Sequence, residues 1–443
     1  MSCFEVGEIA SFLSQLIQVD TSNPPGNELE AAKLVAEKLS ELGIESQVLE
    51  SEKNRGNVVA KIQSGEPGPT LLLLSHLDVV PAKPQEWKHD PFSGLIKDGF
   101  VWGRGALDCK GLVAVELFAF AEIVSRKAFK GTLIFAATAD EEKGGRRGVG
   151  WLIKNKPDLI KADYVLNEGG GFEFPTPKGS LFLVQTAEKG VYWFKLRFKG
   201  KPSHASMPGI GENAVVKAAR CIDRIASAKP PIRATLHTKF FLKNLLEMYG
   251  KKWISSFLLN PYTVDYALKK FPDKSHAMFI EAMLRNTLAP TIVKGGEKEN
   301  IIPSCCELVV DCRLLPGYSE KWVKDYLRRI LKDVDYELEF LQKEPPSESP
   351  IETPLYKAIE EALRELIPNA RATPFMVTGG TDSRYFRRIF SSVAYGFHPI
   401  RSDLPFKEIL SMAHGVNERI SLKNLEFSYK VLVKTIEKFY KLL

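Results

Sequence analysis

The sequence predicts an α/β protein with a mixed central sheet flanked by helices, interrupted by an inserted two-layer α+β domain. Three observations predict it. Short uncharged apolar runs alternate with helical repeats from residue 47 to about residue 171. From Leu181 the pattern changes to antiparallel-looking strands, and after Gly317 the helix and strand alternation resumes. At 443 residues the chain exceeds one ordinary core, so two domains are expected. The first α/β part is expected over 1–187 and the insert over 188–312, with a helical insertion at about 232–284. The second α/β part follows over 313–443.

Composition narrows the class. Apolar residues make up 44% and charged residues 26%, the balance of a globular protein. No window resembles a membrane span, and the start carries Glu5 and Glu8 where a leader would be basic and then apolar. A cytoplasmic protein with no membrane partner is therefore expected. The net charge of +7 is spread among acids, without a basic tract interleaved with aromatics, so no nucleic-acid partner is expected. Six cysteines without a CxxC pair give no disulfide framework.

Ile9, Phe12, Leu13, Leu16 and Ile17 recur at helical spacing, and Asn23-Pro24-Pro25-Gly26 ends that segment. A second helix carries Ala31, Leu34, Val35, Leu39 and Leu42 on one face and stops at Gly43. Strands are expected at 47–49, 58–62 and 71–74, the last closing on Ser75-His76-Leu77-Asp78. A hairpin then delivers Gly103-Arg104-Gly105-Ala106-Leu107-Asp108 to the start of a long apolar helix. The run 132–138 ends in Asp140-Glu141-Glu142, and 164–166 ends in Asn167-Glu168. Farther along, 181–186 and 191–198 read as strands, 213–227 as a helix, and 290–293 and 307–312 as strands. The stripe of Phe241, Leu245, Met248 and Tyr249 reads as packing.

Four segments thus end in His76/Asp78, Asp108, Glu141/Glu142 and Glu168. Open α/β sheets present their chemistry at the carboxyl ends of strands. Two histidines with Asp108, Glu142 and Glu168 make a mixed nitrogen and oxygen donor set, which suits zinc or another borderline divalent ion better than calcium or magnesium. Such a set, with one bridging carboxylate, suffices for two ions about 3.5–4 Å apart. Asp78 is the candidate acceptor for the second ring N–H of His76. Glu141 is the candidate base.

Five segments carry a resemblance: Ser75-His76-Leu77-Asp78-Val79-Val80-Pro81, Gly103-Arg104-Gly105-Ala106-Leu107-Asp108, Asp140-Glu141-Glu142, Asn167-Glu168-Gly169-Gly170 and Ala413-His414-Gly415. Collinear over nearly the whole chain, they resemble the dinuclear-zinc amidohydrolases and exopeptidases that include aminoacylase, carboxypeptidase G and succinyl-diaminopimelate desuccinylase. Residues 377–420 resemble the subgroup of carboxypeptidase S and the N-acyl amino acid hydrolases. The resemblance implies His76 and Glu168 on one metal, Glu142 and His414 on the other, and Asp108 bridging. It implies Asp78 orienting His76, Glu141 as general base, and His204 of Ser203-His204-Ala205-Ser206 as an oxyanion group, often serving the partner subunit. Asn300 and Arg313 match substrate-binding lid positions, and a cis peptide is implied at Asp108-Cys109. Gly380 and Thr381, in Gly379-Gly380-Thr381-Asp382, can offer N–H groups to a substrate carboxylate. Cys109 departs from the pattern, since many relatives carry an acid there. His89, His237, His276 and His398 match no motif and read as surface or packing residues.

The implied activity is hydrolysis of an amide bond to an amino acid with a free carboxylate, in an N-acyl amino acid or small peptide. Two zinc ions, or cobalt or manganese, would serve it, in a homodimer formed through the lid. A succinyl-diaminopimelate or acetylornithine type deacylase is the alternative substrate class. A two-metal nuclease and an inactive metal-bound binding protein are the alternatives of another class. The imidazole donors and dispersed basicity count against the first, and the intact Glu141 against the second.

Overall fold

The computed structural model describes residues 3–251, 254–270 and 274–443. Its main body is a ten-stranded mixed sheet. The path runs Gln47–Glu52, Arg55–Gln63, Thr132–Thr138, Thr70–His76, Tyr164–Asn167, Val393–Gly396, Gly179–Glu188 and Ser347–Glu348. Glu173–Thr176 and Arg371–Val377 also pair with Gly179–Glu188. The central strands are parallel and the margins largely antiparallel.

Leu71, Leu72, Leu73 and Leu74 are buried on both faces of the sheet. That is why the strand is written as an uninterrupted apolar run and not an alternating one. The helix Lys110–Ser125 is apolar around nearly its whole circumference. It lies against Thr70–His76 and Thr132–Thr138 on one side, with Val6–Gln18 and Leu422–Lys441 also packed on it. Truncating Leu73 to Ala in this layer would cost about 2–5 kcal/mol through the cavity left behind.

Register delivers the polar ends to one place. His76 lies opposite Thr138, so the chain leaves both strands together, into Asp78 on one side and Asp140-Glu141-Glu142 on the other. Leu73 lies opposite Leu166, which brings Asn167-Glu168 to the same edge.

The second sheet is antiparallel, ordered Thr287–Gly295, Cys305–Leu314, Gly190–Lys199 and Glu337–Phe340. Cys305–Leu314 alternates in burial because only one face is covered. The helices Ala214–Ser227 and Glu320–Ile330 cover it, with Ala218, Cys221, Ile225, Val323 and Leu327 in the shared core. The expected boundary at residue 312 is corrected here, because Leu196 pairs with Leu338 and the sheet therefore continues to Phe340.

The helical insertion is also relocated. Leu236–Met248 packs on Gly179–Glu188 and Arg371–Val377, and Phe241, Leu242 and Leu245 share a core with Leu181, Leu183, Phe375 and Met376. The insertion covers an apolar face of the main sheet instead of extending the lid. Tyr249, expected in the packed stripe, is 39% exposed.

Candidate metal centre

Asp108 stands between two imidazoles. Its Oδ1 is 3.1 Å from His76 Nε2 and its Oδ2 is 3.2 Å from His414 Nε2. His414 Nε2 is also 3.1 Å from Glu142 Oε2. His76, Glu141 and Glu168 each offer a donor atom within 4.8 Å of the others, as do His76, Asp108 and Glu142. All five residues expected to bind metal, and Glu141 with them, are gathered at one edge of the sheet.

The electrostatics of this cluster ask for a cation. Burial, followed by the charge of Glu168, pushes the Glu141 carboxyl well above the usual range. Burial, with Asp108 beside it, raises Glu168 to about 8. Burial also raises Asp382 to about 7. Burial raises Glu142, whose Oε1 is buried with no hydrogen-bond partner. Asp108 goes the other way, because hydrogen bonds from His414 and His76 outweigh its burial. His414 is raised to about 10 by its bonds to Asp108 and Glu142. Carboxylates crowded into a desolvated space with an orphaned oxygen fit divalent cations, and the imidazoles make the set suit zinc-like ions.

Asp78 meets His76 and has further partners that were not expected. His76 Nδ1 sits 2.9 Å from the backbone carbonyl of Asp78, whereas the nearer carboxylate oxygen is 3.6 Å away. That carboxylate also accepts the backbone N–H groups of Glu141 and Glu142, and Asn23 Nδ2 at 2.8 Å. A reverse turn with Asp140 in the left-handed region, φ 70°, leaves these N–H groups without helical partners, and the carboxylate takes them.

Behind this layer lies a network that the sequence did not reveal. Asn23 Nδ2 also reaches Asp140 Oδ1, which accepts Arg55 Nη2 at 3.0 Å. Arg55 is held bidentate by Glu28, at 2.7 and 2.6 Å. Glu418 accepts the N–H groups of Leu107 and Asp108 and pairs with Arg104 at 2.7 Å, and so braces the turn that carries Asp108. The Asp108-Cys109 peptide is cis. Cys109 Sγ lies 3.2 Å from the His76 backbone nitrogen, a packing role that needs no acid at this position.

Comparison with known proteins follows the same motifs. The profile of peptidase family M20/M25/M40 matches residues 72–438. The chain belongs to this family. It is 28% identical over 388 residues to the N-fatty-acyl-amino acid synthase/hydrolase of Homo sapiens, covering 85% of this chain and 75% of that one. It is 27% identical over 386 residues to the probable carboxypeptidase S-like 2 of Dictyostelium discoideum, covering 83% and 72%. A family M20 metallo-carboxypeptidase from Sulfolobus solfataricus shares its fold, with a TM-score of 0.74 and 21% identity over 98% of this chain and 100% of that one. The chain is thus an enzyme of the M20 metallohydrolase family.

In this M20 chain the expected substrate contacts fare differently. The Thr381 N–H is donated to the buried Glu188 carboxylate, which Arg387 holds from its other oxygen at 2.6 Å. That donor is occupied, so of the expected anion-binding pair Thr381 is corrected, and the helix that follows spans only Ser383–Tyr385. Arg313 forms a bidentate pair with Asp311, at 2.7 and 2.9 Å, inside the lid strand. His204 and Asn300 are brought together: His204 forms a bridge with Ile301, and the Ala205 N–H donates to the Asn300 carbonyl at 2.9 Å. The His204 ring is exposed, and its hydrogen bonds go to Ser206.

Of the histidines outside the motifs, His89 lies edge-on to Trp102. His237 is buried against Thr186 Oγ1 at 2.7 Å, anchoring the helical insertion to the main sheet. His398 is buried and lowered to about 4 by that burial. The side chain of His276 lies outside the described residues.

Proposed function

We propose that this chain hydrolyses an amide bond to an amino acid with a free carboxylate, in an N-acyl amino acid or a small peptide. The observation that carries the reading is Asp108 offering one oxygen toward His76 and the other toward His414. Around it, His76 and Glu168 would hold one divalent cation and Glu142 and His414 a second, with Asp108 shared. Zinc is the first candidate, and cobalt or manganese suits the same donors. Bound there, the cations would polarise the scissile carbonyl and acidify a water.

The remaining work falls to side chains. Glu141 lies within the cluster, and its raised affinity for protons suits a general base that later acts as an acid. It takes a proton from the attacking water and returns it to the leaving nitrogen. Asp78 holds the turn that carries Glu141. His204 would stabilise the negative charge on the carbonyl oxygen, and Asn300 beside it would contact the substrate. Arg313 would serve the substrate carboxylate only after exchange from Asp311.

The lid of a second copy would supply His204 in a homodimer. The nine-residue edge strand Thr287–Gly295 has one paired side, and Ile292 and Val293 are 48% and 52% exposed, which supports the lid as the pairing surface. The six cysteines are unpaired, which suits the reducing cytoplasm, where we place the protein. Among the described residues no helix is long and apolar enough to cross a membrane.

The test is a hydrolysis screen of the zinc- or cobalt-loaded protein against N-acyl amino acids, N-succinyl-diaminopimelate and dipeptides, with Glu141→Gln in parallel. Turnover of one amide class, lost in the variant while its cations remain, is expected. Two bound cations per chain with no turnover of any class would sink the proposed substrate class.

A further inference from the structure

Among the described residues, Ser206 is the one that holds the His204 ring by hydrogen bonds. Its Oγ lies 2.7 Å from His204 Nδ1, and its backbone N–H points at the same nitrogen from 3.2 Å. A backbone N–H can only donate, so Nδ1 must accept, and the ring proton resides on Nε2. The His204 backbone is held as well. Besides its bridge with Ile301, the Ile302 N–H donates to the Ser203 carbonyl at 2.8 Å and the Met207 N–H to the His204 carbonyl at 3.0 Å. An exposed side chain ordinarily keeps its rotamer freedom, and ordering it costs entropy. Here backbone and ring are both hydrogen-bonded although the ring is exposed.

We propose that Ser206 is a positioning residue that selects the Nε2–H tautomer of His204, so that the donor faces outward toward a substrate oxygen. The proposal rests on His204 acting on the carbonyl oxygen, as above. With the proton on Nδ1 instead, Nε2 would present a lone pair to developing negative charge, which repels it. The hydroxyl of Ser206 therefore reinforces its backbone N–H in selecting the tautomer that attracts the oxyanion.

The test uses the cation-loaded full chain labelled with 15N-histidine, in alkaline buffer, with the His204 signals assigned from their loss in His204→Gln. The wild-type ring should show a protonated Nε2 and a hydrogen-bonded, unprotonated Nδ1. Ser206→Ala should move both resonances toward a tautomer mixture and lower kcat about 3- to 10-fold with KM little changed. Ser206→Thr should restore both. A wild-type proton on Nδ1, or a Ser206→Ala protein unchanged in both its Nδ1 resonance and kcat, would overturn the proposal. His204→Gln separates the two readings. If it keeps full kcat, the oxyanion role falls and takes the catalytic role of Ser206 with it. If it loses kcat while Ser206→Ala is silent, only the role of Ser206 falls.

Discussion

The Asp78 carboxylate accepts the backbone N–H of Glu141 at 3.0 Å, with its other oxygen on the N–H of Glu142 at 3.1 Å. One buried side chain therefore aims both the proposed base and a proposed metal ligand, although it lies 63 and 64 residues away from them in sequence. It meets His76 too, by its backbone carbonyl at 2.9 Å and its carboxylate at 3.6 Å.

Replacing Asp78 with Asn keeps one acceptor and turns an NH2 group toward the other backbone N–H. Activity or cation affinity should fall about 10- to 100-fold, the usual cost of losing an outer partner of a metal site. Cation content per chain and kcat, measured together, check this. Wild-type values for both would show that the turn holds itself.

Glu141→Gln removes the proton acceptor and keeps the shape. We expect kcat to drop about 10²- to 10⁴-fold, the range for a lost general base, with two cations still bound. Loss of a cation in this variant would reassign Glu141 as a ligand, since it shares a donor cluster with His76 and Glu168.

Chelation should lower the melting temperature, because it exposes the mutual repulsion of Glu141, Glu142 and Glu168. A cation at 100 times its Kd adds about 2.7 kcal/mol to folding. Calorimetry with a chelator, followed by zinc, should show a fall and a recovery. An unmoved transition would mean that cation binding is not linked to folding.

Glu116, hydrogen-bonded to Ser75 beside His76, gives a pH dependence of its own. Burial, only partly offset by a hydrogen bond from Ser75 Oγ, raises its carboxyl well above the ordinary 4.5. The unfolded chain releases this proton near pH 4.5 while the folded chain keeps it, so above that pH the folded state binds more protons. Stability is then lost as pH rises toward the folded value. Glu116→Gln keeps a partner for Ser75 and removes the titration, so urea unfolding should vary less between pH 5 and pH 8. An unchanged slope would refute the assignment.

Arg55→Met would strand Glu28 and leave Asp140 with only Arg147 and Asn23. Arg55 is paired with Glu28 and Asp140, whose side chains are 0% and 1% exposed. Breaking one member of a buried ion pair costs about 3–5 kcal/mol, and denaturant unfolding should show it. Adding Glu28→Gln should recover part of the loss. A single variant within 1 kcal/mol of wild type would mean that water replaces the guanidinium.

Legibility followed the range of the interaction. The strand Thr70–His76 was readable because a parallel strand buried on both faces is an unbroken apolar run, and its polar end marks the edge of the sheet. Asn213 was readable as a helix start because its side chain caps the N–H groups two and three residues on. The partners of Glu418 were not, since 314 residues separate it from Arg104 and no periodicity links them. The Thr381 N–H looked available because a Gly-Gly-Thr turn shows nothing of Glu188, 193 residues away.

By itself, then, the sequence determined where each central strand stops and which donor follows it, because burial on both faces and the end of burial are written locally. Tertiary structure alone decided that Asp78 serves the Glu141 turn, that Glu188 takes the Thr381 N–H, and that the helical insertion covers the main sheet. Those outcomes depend on which buried polar group finds which distant partner, and close packing, not local pattern, sets that competition.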